Sequence, residues 1–379
     1  MVNLSRQAAI VGVAESKLGK VGDMNPLQLQ AMAARDALKE AGVDKSEVEA
    51  VFSAGPFAYM QSISVAEYLG IIPKYSDSTS IGGSSFEAHI EHAVAGIHAG
   101  LFDVALITYG SNQRSKKVRP GNRVDSFPFE ALYGVPYPVG PYALAAQRHM
   151  DLYGTKSEQL AEIAVATRKW ANLNPKAYAQ GPLEIEDVLN SPLIASPLHK
   201  YDCCLITDGG GAIVVTSGRR AKDCQTKPVW VLGTGETHTH LNISSMPDLT
   251  TTGAVLSGKR AFEMAGLTPN DIDLVQCYDS FTITVLLQLE DLGFCEKGEG
   301  GKLVENQNTA PGGALPVNTS GGGLSYNHPG LLGIFLLIEA TRQLRGECGE
   351  RQVHDAQFAL CNGMGGFLSS SSTVILGRD

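Results

Sequence analysis

Tyr326, Asn327 and His328 stand inside a glycine run, GGGLSYNHPG, from Gly321 to Gly330, with Pro329 fixed behind the histidine. Glycine supplies unusual backbone angles there, and a tyrosine beside a histidine can hold or pass a proton. A free tyrosine titrates near about pH 10, so Tyr326 acts as a base only beside a donor or cation that lowers its pKa. His328 is such a neighbour, and on a helix-entry loop it can also donate to a developing oxyanion. A second tyrosine opens Tyr278-Asp279-Ser280-Phe281, where Asp279 reads as a turn or orienting carboxylate rather than the base. Cys361-Asn362-Gly363 leads into a Gly-Met-Gly-Gly turn that lets backbone come close to a bound molecule. The stretch SIGGSSFEAHIEHA, around Gly82, Gly83, Ser84 and Ser85, reads as a helix entry with serine as cap, and its free N–H groups suit an anion. For each tyrosine, ordinary ring packing with a satisfied hydroxyl stands as the alternative. Cys361 reads equally as a proton donor or a retained relic.

Other polar clusters read as structural. His89 and His92 share a helical face without a visible third metal ligand, and His238 and His240 share a strand face. No metal is expected. Arg114, Lys116, Lys117, Arg119 and Arg123 form a basic cluster, either a solvated loop face or a phosphate contact. Phe127, Phe129, Tyr133, Tyr137 and Tyr142 can wall a bulky apolar ligand or simply pack the loop around them.

The elements that must position these residues repeat. Ala37–Phe52, ALKEAGVDKSEVEAVF, and Ala261–Gln276, AFEMAGLTPNDIDLVQ, share the order helix end, Ala-Gly stop, acidic turn and strand. A weaker echo pairs VALITYGS with AQFALCNGMGG. Short β-branched runs alternate with helix-period segments, which predicts an α/β chain of two similar halves with buried sheets. We expect the first half at 1–111 and 201–228, the second at 229–379, and between them an inserted loop domain at 112–200 that repeats nowhere.

The 379 residues carry a net charge of −9 and no long Lys/Arg block, which argues against nucleic-acid or membrane-surface binding. The N-terminus shows no signal pattern, and no apolar run of about 18 residues occurs, so a cytoplasmic protein is expected. Seven irregularly spaced cysteines, with no C-x-x-C pair, read as reduced packing thiols.

Duplicated α/β halves, the NHPG segment and CNGMGG together resemble the thiolase superfamily over essentially the whole chain. YDCCLITDGGGAIVV and EDLGF…GEGG…PVNTSGG look most like its lipid-transfer or sterol-carrier branch. The resemblance implies a five-layer α/β/α/β/α sandwich with the active site between the halves. It also implies a nucleophilic cysteine at the start of the helix after the third strand, and that place falls on Gly82 or Gly83. Where the superfamily carries N-E-A-F or H-D-A-F, this chain has Tyr278-Asp279-Ser280-Phe281. Without the sulfur there is no acyl-enzyme, and Ser84 or Ser85 would need a base in contact to replace it.

Retro-aldol cleavage of a β-hydroxyacyl-CoA needs the remainder of such a site: a base, enolate donors and an acid. YDSF with SYNHP resembles the thiolase-like aldolases of steroid side-chain degradation. That resemblance implies acid/base roles for Tyr278 and Tyr326, with His328 and Cys361 beside them. Gly83, Ser84, Asp279, Asn327 and Gly363 would contact substrate. It further implies no cofactor beyond the CoA of the substrate, a homodimer, and a small OB-fold/zinc-ribbon partner that helps bind the acyl-CoA. The competing expectations are an acyltransferase using Ser84, Ser85 or Cys361, and an inactive acyl-CoA or lipid-binding subunit.

Overall fold

The computed structural model describes residues 4–55, 59–117 and 128–379; the side chains of 128 and 129 are not described. Arg119, Arg123 and Phe127 lie outside the described residues, as does the side chain of Phe129.

Among the described residues eleven strands follow one another: β1 (Ala8–Glu15), β2 (Ala50–Ser53), β3 (Tyr75–Asp77), β4 (Val104–Ser111), β5 (Leu193–Ala195), β6 (Leu198–His199), β7 (Gly209–Ser217), β8 (Val229–His238), β9 (Leu274–Cys277), β10 (Phe358–Gly365) and β11 (Ser370–Gly377). Strands β5 and β6 form a small separate pair. The others hydrogen-bond in the order β3-β2-β4-β7-β1-β8-β11-β10-β9. This row is two sheets joined edge to edge, because β1 meets β8 only at Ala9–Trp230 and Ile10–Val229. Read outward from that seam, β1-β7-β4-β2 repeats as β8-β11-β10-β9. The parallel bridge Val275–Val317 stands where β3 stands in the first half.

Five layers result. Helix Pro26–Ala41 covers the outer face of the first sheet and helix Ala254–Ala265 that of the second. Helices Ser85–His98 and Gly333–Arg345 touch each other and strands of both sheets, and so form the middle layer. The echo seen in sequence is spatial. Helix Pro26–Ala41 ends at Gly42 with φ 68° and helix Ala254–Ala265 at Gly266 with φ 69°, the left-handed stop that glycine provides. Close packing of outer helix on strand is duplicated too. A methyl on Gly12 would lie 2.2 Å from the Ala37 carbonyl oxygen, and one on Gly233 would lie 2.0 Å from that of Ala261. Only glycine lets either helix lie so near its strand. Strand β7 lies between β4 and β1, fully buried along its length.

Candidate active site

The two middle helices start close to one another, and their N-terminal ends meet the ends of β9 and β10. A cavity of about 310 Å³ opens there. Gly82, Gly83, Gln113, Tyr278, His328 and Met364 line one part of it, and Pro138, Tyr142, Leu205, Ile206, Phe281 and Leu331 give it an apolar wall.

Tyr278 follows β9 directly. Its N–H donates to the Asn362 carbonyl (3.0 Å), and its own carbonyl accepts from Gln288 Nε2 (2.7 Å), so the backbone beneath the ring is fixed on both sides. The Tyr278 hydroxyl lies 3.0 Å from His328 Nε2 and 3.4 Å from the Gly330 carbonyl oxygen. The two rings meet edge to face, with centroids 5.6 Å apart. Tyr278 is 5% exposed and His328 8%. Burial pushes the Tyr278 hydroxyl well above its usual range and pulls His328 down to about 4. At neutral pH both are uncharged and share one hydrogen bond.

The ring of Tyr278 also covers Gly83. A methyl on Gly83 would stand 2.0 Å from Tyr278 Cε2 and 2.5 Å from the Met364 carbonyl oxygen, so no side chain fits at this position. The volume in which a cysteine would project is filled by the tyrosine.

His328 is aimed by residues that sequence patterns did not single out. Thr207 N–H donates to the His328 carbonyl (3.2 Å), while the Thr207 hydroxyl accepts from the His328 N–H (2.9 Å) and donates to Asn327 Oδ1 (2.6 Å). Tyr109, from β4, donates to the Pro329 carbonyl (2.5 Å) and accepts from the Leu331 N–H (3.2 Å). Both lie in apolar or glycine-rich runs, where only the fold shows what they hold. Ahead of the histidine, Gly322–Tyr326 forms a π-helical turn. The buried Asp279 carboxylate accepts from the N–H groups of Gly323 (2.6 Å) and Leu324 (3.1 Å), and so ties the end of β9 to this turn. Burial raises its pKa to about 7.

Tyr278, His328 and Gly83 are therefore brought together at the cavity. Six of the expected residues do not line it. Tyr326, 2% exposed, packs on Phe335 and donates its hydroxyl to Glu15 Oε1 (2.9 Å), a carboxylate that Arg342 and Lys176 also engage. The π turn directs the tyrosine toward β1, away from the cavity. Cys361 faces the middle helix, donating to the Leu336 carbonyl at 3.6 Å, and burial lifts its thiol well above the usual range. Gly363 shares that face of β10. Ser84 donates to the Ile81 carbonyl (3.0 Å) and pairs with Ser370 (2.7 Å); Ser85 donates to the Gly82 carbonyl (2.7 Å). Both hydroxyls are occupied by these bonds, and Ser84, at the N-cap position, makes no side-chain cap to the helix. Asp279 and Asn327 act from behind the lining residues.

The remaining clusters hold structure. His92 bridges Asp77 (2.6 Å) and Glu236 (3.6 Å), and His238 joins Glu236 to Ser370. His89 meets the Thr79 carbonyl and His240 that of Phe367. Among the described residues no group of three His, Cys, Asp or Glu is placed to hold a metal ion. Arg114 donates to the Ile206 carbonyl (2.6 Å) and lies over the Tyr178 ring, at the rim of the cavity. Of the aromatic loop, Tyr142 lines the cavity and stacks on Phe281 at 4.3 Å, Tyr137 packs on Phe367, and Tyr133 is exposed. Cys204 also lines the cavity, with its thiol pushed up by burial and by the Asp279 carboxylate. No described helix is long and apolar enough to cross a membrane.

Comparison with known proteins shows what the chain is similar to. Residues 235–378 match the family described as thiolase C-terminal domain-like. The chain is 34% identical to an acetyl-CoA acetyltransferase of Methanothermobacter thermautotrophicus, over 98% of this chain and all of that one. It is 35% identical to the 17-hydroxy-3-oxo-4-pregnene-20-carboxyl-CoA lyase of Mycobacterium tuberculosis, over 90% of this chain and 92% of the relative. The steroid side-chain-cleaving aldolase of Thermomonospora curvata is 33% identical over 89% of this chain and 90% of its own length. Among solved structures, the Ltp2-ChsH2(DUF35) aldolase superposes with a TM-score of 0.92 at 32% identity, covering 99% of each chain.

Proposed function

The chain belongs to the thiolase superfamily, and we propose that within it the protein is a carbon–carbon lyase, a retro-aldolase that cleaves a β-hydroxyacyl-CoA to a ketone or aldehyde and a shorter acyl-CoA. One observation carries the reading: the ring of Tyr278 occupies the space over Gly83 that a nucleophilic side chain would need, and puts its hydroxyl on His328. A site so filled cannot form an acyl-enzyme at Gly83, yet it keeps what bond cleavage through an enolate requires.

In the reaction a proton leaves the β-hydroxyl, the bond between the α and β carbons breaks, and its electron pair passes into the thioester enolate. The carbonyl product departs, and the α carbon takes up a proton. The Tyr278–His328 pair is neutral at both ends, so its shared proton can shift toward His328 while the phenol oxygen accepts that of the substrate, and shift back when the α carbon is protonated. The start of the buried helix Ser85–His98 turns its positive end toward the enolate oxygen. Cys204, the cysteine on the cavity wall, is held as a thiol and does not offer a substitute nucleophile.

The apolar wall from Pro138 to Leu331 suits a bulky hydrocarbon acyl group; of the relatives, one is a lyase of a pregnene carboxyl-CoA and another a steroid side-chain-cleaving aldolase. CoA would leave past Gln113, with Lys116 and Lys117 exposed on the following residues for its phosphates. The solved aldolase is a complex with a DUF35 protein, which supports a small partner of that kind here. A homodimer and a cytoplasmic location belong to the same reading; all seven cysteines are free, as a reducing compartment allows.

Incubation with tertiary β-hydroxyacyl-CoA thioesters, with and without a DUF35-type partner, should release a ketone and a short acyl-CoA. Tyr278→Phe keeps the ring over Gly83 and removes the shared proton, so kcat should fall by about 10² to 10⁴. A trapped acyl adduct in the intact mass of the wild type, with Tyr278→Phe fully active, would instead establish acyl transfer.

A further inference from the structure

The first turn of helix Ser85–His98 carries a carboxyl group that the reaction above does not use. Glu87 is 1% exposed, and neither of its carboxyl oxygens has a hydrogen-bond partner among the described residues. Folds rarely leave such a group idle, because an unpaired carboxylate away from water is costly.

The backbone around it is shaped to the carboxyl. A methyl on Gly363 would lie 2.2 Å from Glu87 Oε2; one on Gly333 would lie 2.4 Å from the same oxygen and 2.3 Å from the Gly83 carbonyl oxygen. Both positions admit only glycine while the carboxyl stays where it is. The cavity wall is immediately in front. Gly83 lines it, Met364 next to Gly363 lines it, and Leu331 lines it two residues before Gly333.

We propose that Glu87 is a positioning residue that must keep its proton: as a neutral acid it lets the wall of Gly83 and Met364 face a developing enolate, and as a carboxylate it sets a negative charge behind that wall and stops turnover. The proposal rests on the enolate chemistry of the preceding subsection. The groups packed around Glu87 offer it no cation. The turn before its helix brings the Ser84 backbone against Gly363, β10 brings the Cys361 thiol, and helix Gly333–Arg345 brings a glycine. Burial, with no charged neighbour opposing it, raises the Glu87 pKa to about 8. The other titrating groups fall elsewhere: at the cavity His328 lies at about 4 and Tyr278, Tyr142 and Cys204 are pushed up by burial, while Asp279, behind the lining, lies at about 7.

The test uses the full chain with its partner and the variants E87Q and E87M, both neutral at every pH. Infrared difference spectra between pH 6.5 and 9.5 should show a carboxylic-acid carbonyl band in the wild type that fades with a midpoint near about 8 and is missing from both variants. The wild-type turnover should fall about tenfold from pH 6.5 to 9, whereas E87Q, or E87M if E87Q does not fold, should lack that fall. D279N separates the Asp279 titration. A variant with the same alkaline fall as the wild type, or no such band at pH 6.5, overturns the proposal. If no thioester is cleaved at all, the retro-aldol reading fails by itself, and Glu87 is judged on acetoacetyl-CoA, whose enolate absorbs in the near ultraviolet. The ratio of E87Q to wild-type affinity for that enolate should rise about tenfold from pH 6.5 to 9; a constant ratio overturns the proposal.

Discussion

Gly83→Ala adds one methyl group and tests the central claim about this site. That methyl would stand 2.0 Å from Tyr278 Cε2, 2.4 Å from Tyr278 Cζ and 2.5 Å from the Met364 carbonyl oxygen. Distances below about 3 Å between such atoms cannot be sustained, so the phenol ring must swing aside. Its backbone cannot follow, being held at the N–H by Asn362 and at the carbonyl by Gln288. The swing therefore breaks the 3.0 Å contact with His328. Overpacking of this kind costs about 1 to 3 kcal/mol of stability, whereas loss of a placed acid/base group costs about 10² to 10⁴ in rate, or roughly 3 to 5 kcal/mol in activation energy. Activity should thus fall further than folding does. Release of ketone from a β-hydroxyacyl-CoA, followed beside thermal melting, should show a loss of at least about a hundredfold in kcat with a melting point only a few degrees lower. Gly82→Ala is the control. There φ is +76° and the methyl meets backbone at Gly366 N (2.7 Å) and Gly365 Cα (2.8 Å), so it should strain the fold without touching the Tyr278–His328 pair. Wild-type kcat in a folded Gly83→Ala protein would refute the reasoning.

Two further outcomes follow from the same geometry. Tyr326→Phe removes the hydroxyl that donates to Glu15 but leaves Arg342 and Lys176 on that carboxylate, so urea unfolding should show a loss of about 1 to 2 kcal/mol while kcat stays within a few-fold; a catalytic-size loss in a stable variant would return Tyr326 to the reaction. His328 titrates at about 4 in the fold against about 6.5 when unfolded, so between those values the unfolded chain binds the extra proton and stability falls as pH drops through that window. The His328 share amounts to at most about 3 kcal/mol by pH 4, and the wild type should lose that much more than His328→Gln between pH 7 and 4 in matched urea titrations.

Much of this architecture was legible before the fold was known, because the repeat imposes local chemistry. The glycine stops at Gly42 and Gly266 and the strands that follow them are written in adjacent residues, so a linear reading finds them twice. The same holds for His328, which a proline and four glycines mark as a loop residue. What was not legible depends on which face of an element a residue occupies. Along β10 side chains alternate, so Cys361 and Gly363 turn together toward the middle helices and Met364 turns to the cavity. The motif Cys-x-Gly carries no sign of that choice. Tyr326 is harder still: its partner Glu15 lies 311 residues away, and the π turn that sends the ring there has no sequence period of its own.

The two departures from the superfamily pattern are instructive for the same reason. In sequence, the missing cysteine near Gly83 and the tyrosine at position 278 stand 195 positions apart and read as separate losses and gains. In space they are one exchange. Tyr278 can lie over position 83 only because that position has no side chain, and position 83 can hold no side chain while Tyr278 lies there. A reversion at either site alone therefore leaves a clash or an empty space, and neither restores a nucleophile with room to act. Only a paired change, Gly83→Cys with Tyr278→Asn, removes the ring as it adds the sulfur. Even then the Met364 carbonyl oxygen, 2.5 Å from the new side chain, must move before acyl transfer becomes possible. The chemistry of the site is thus fixed by packing as much as by the identity of its acid and base.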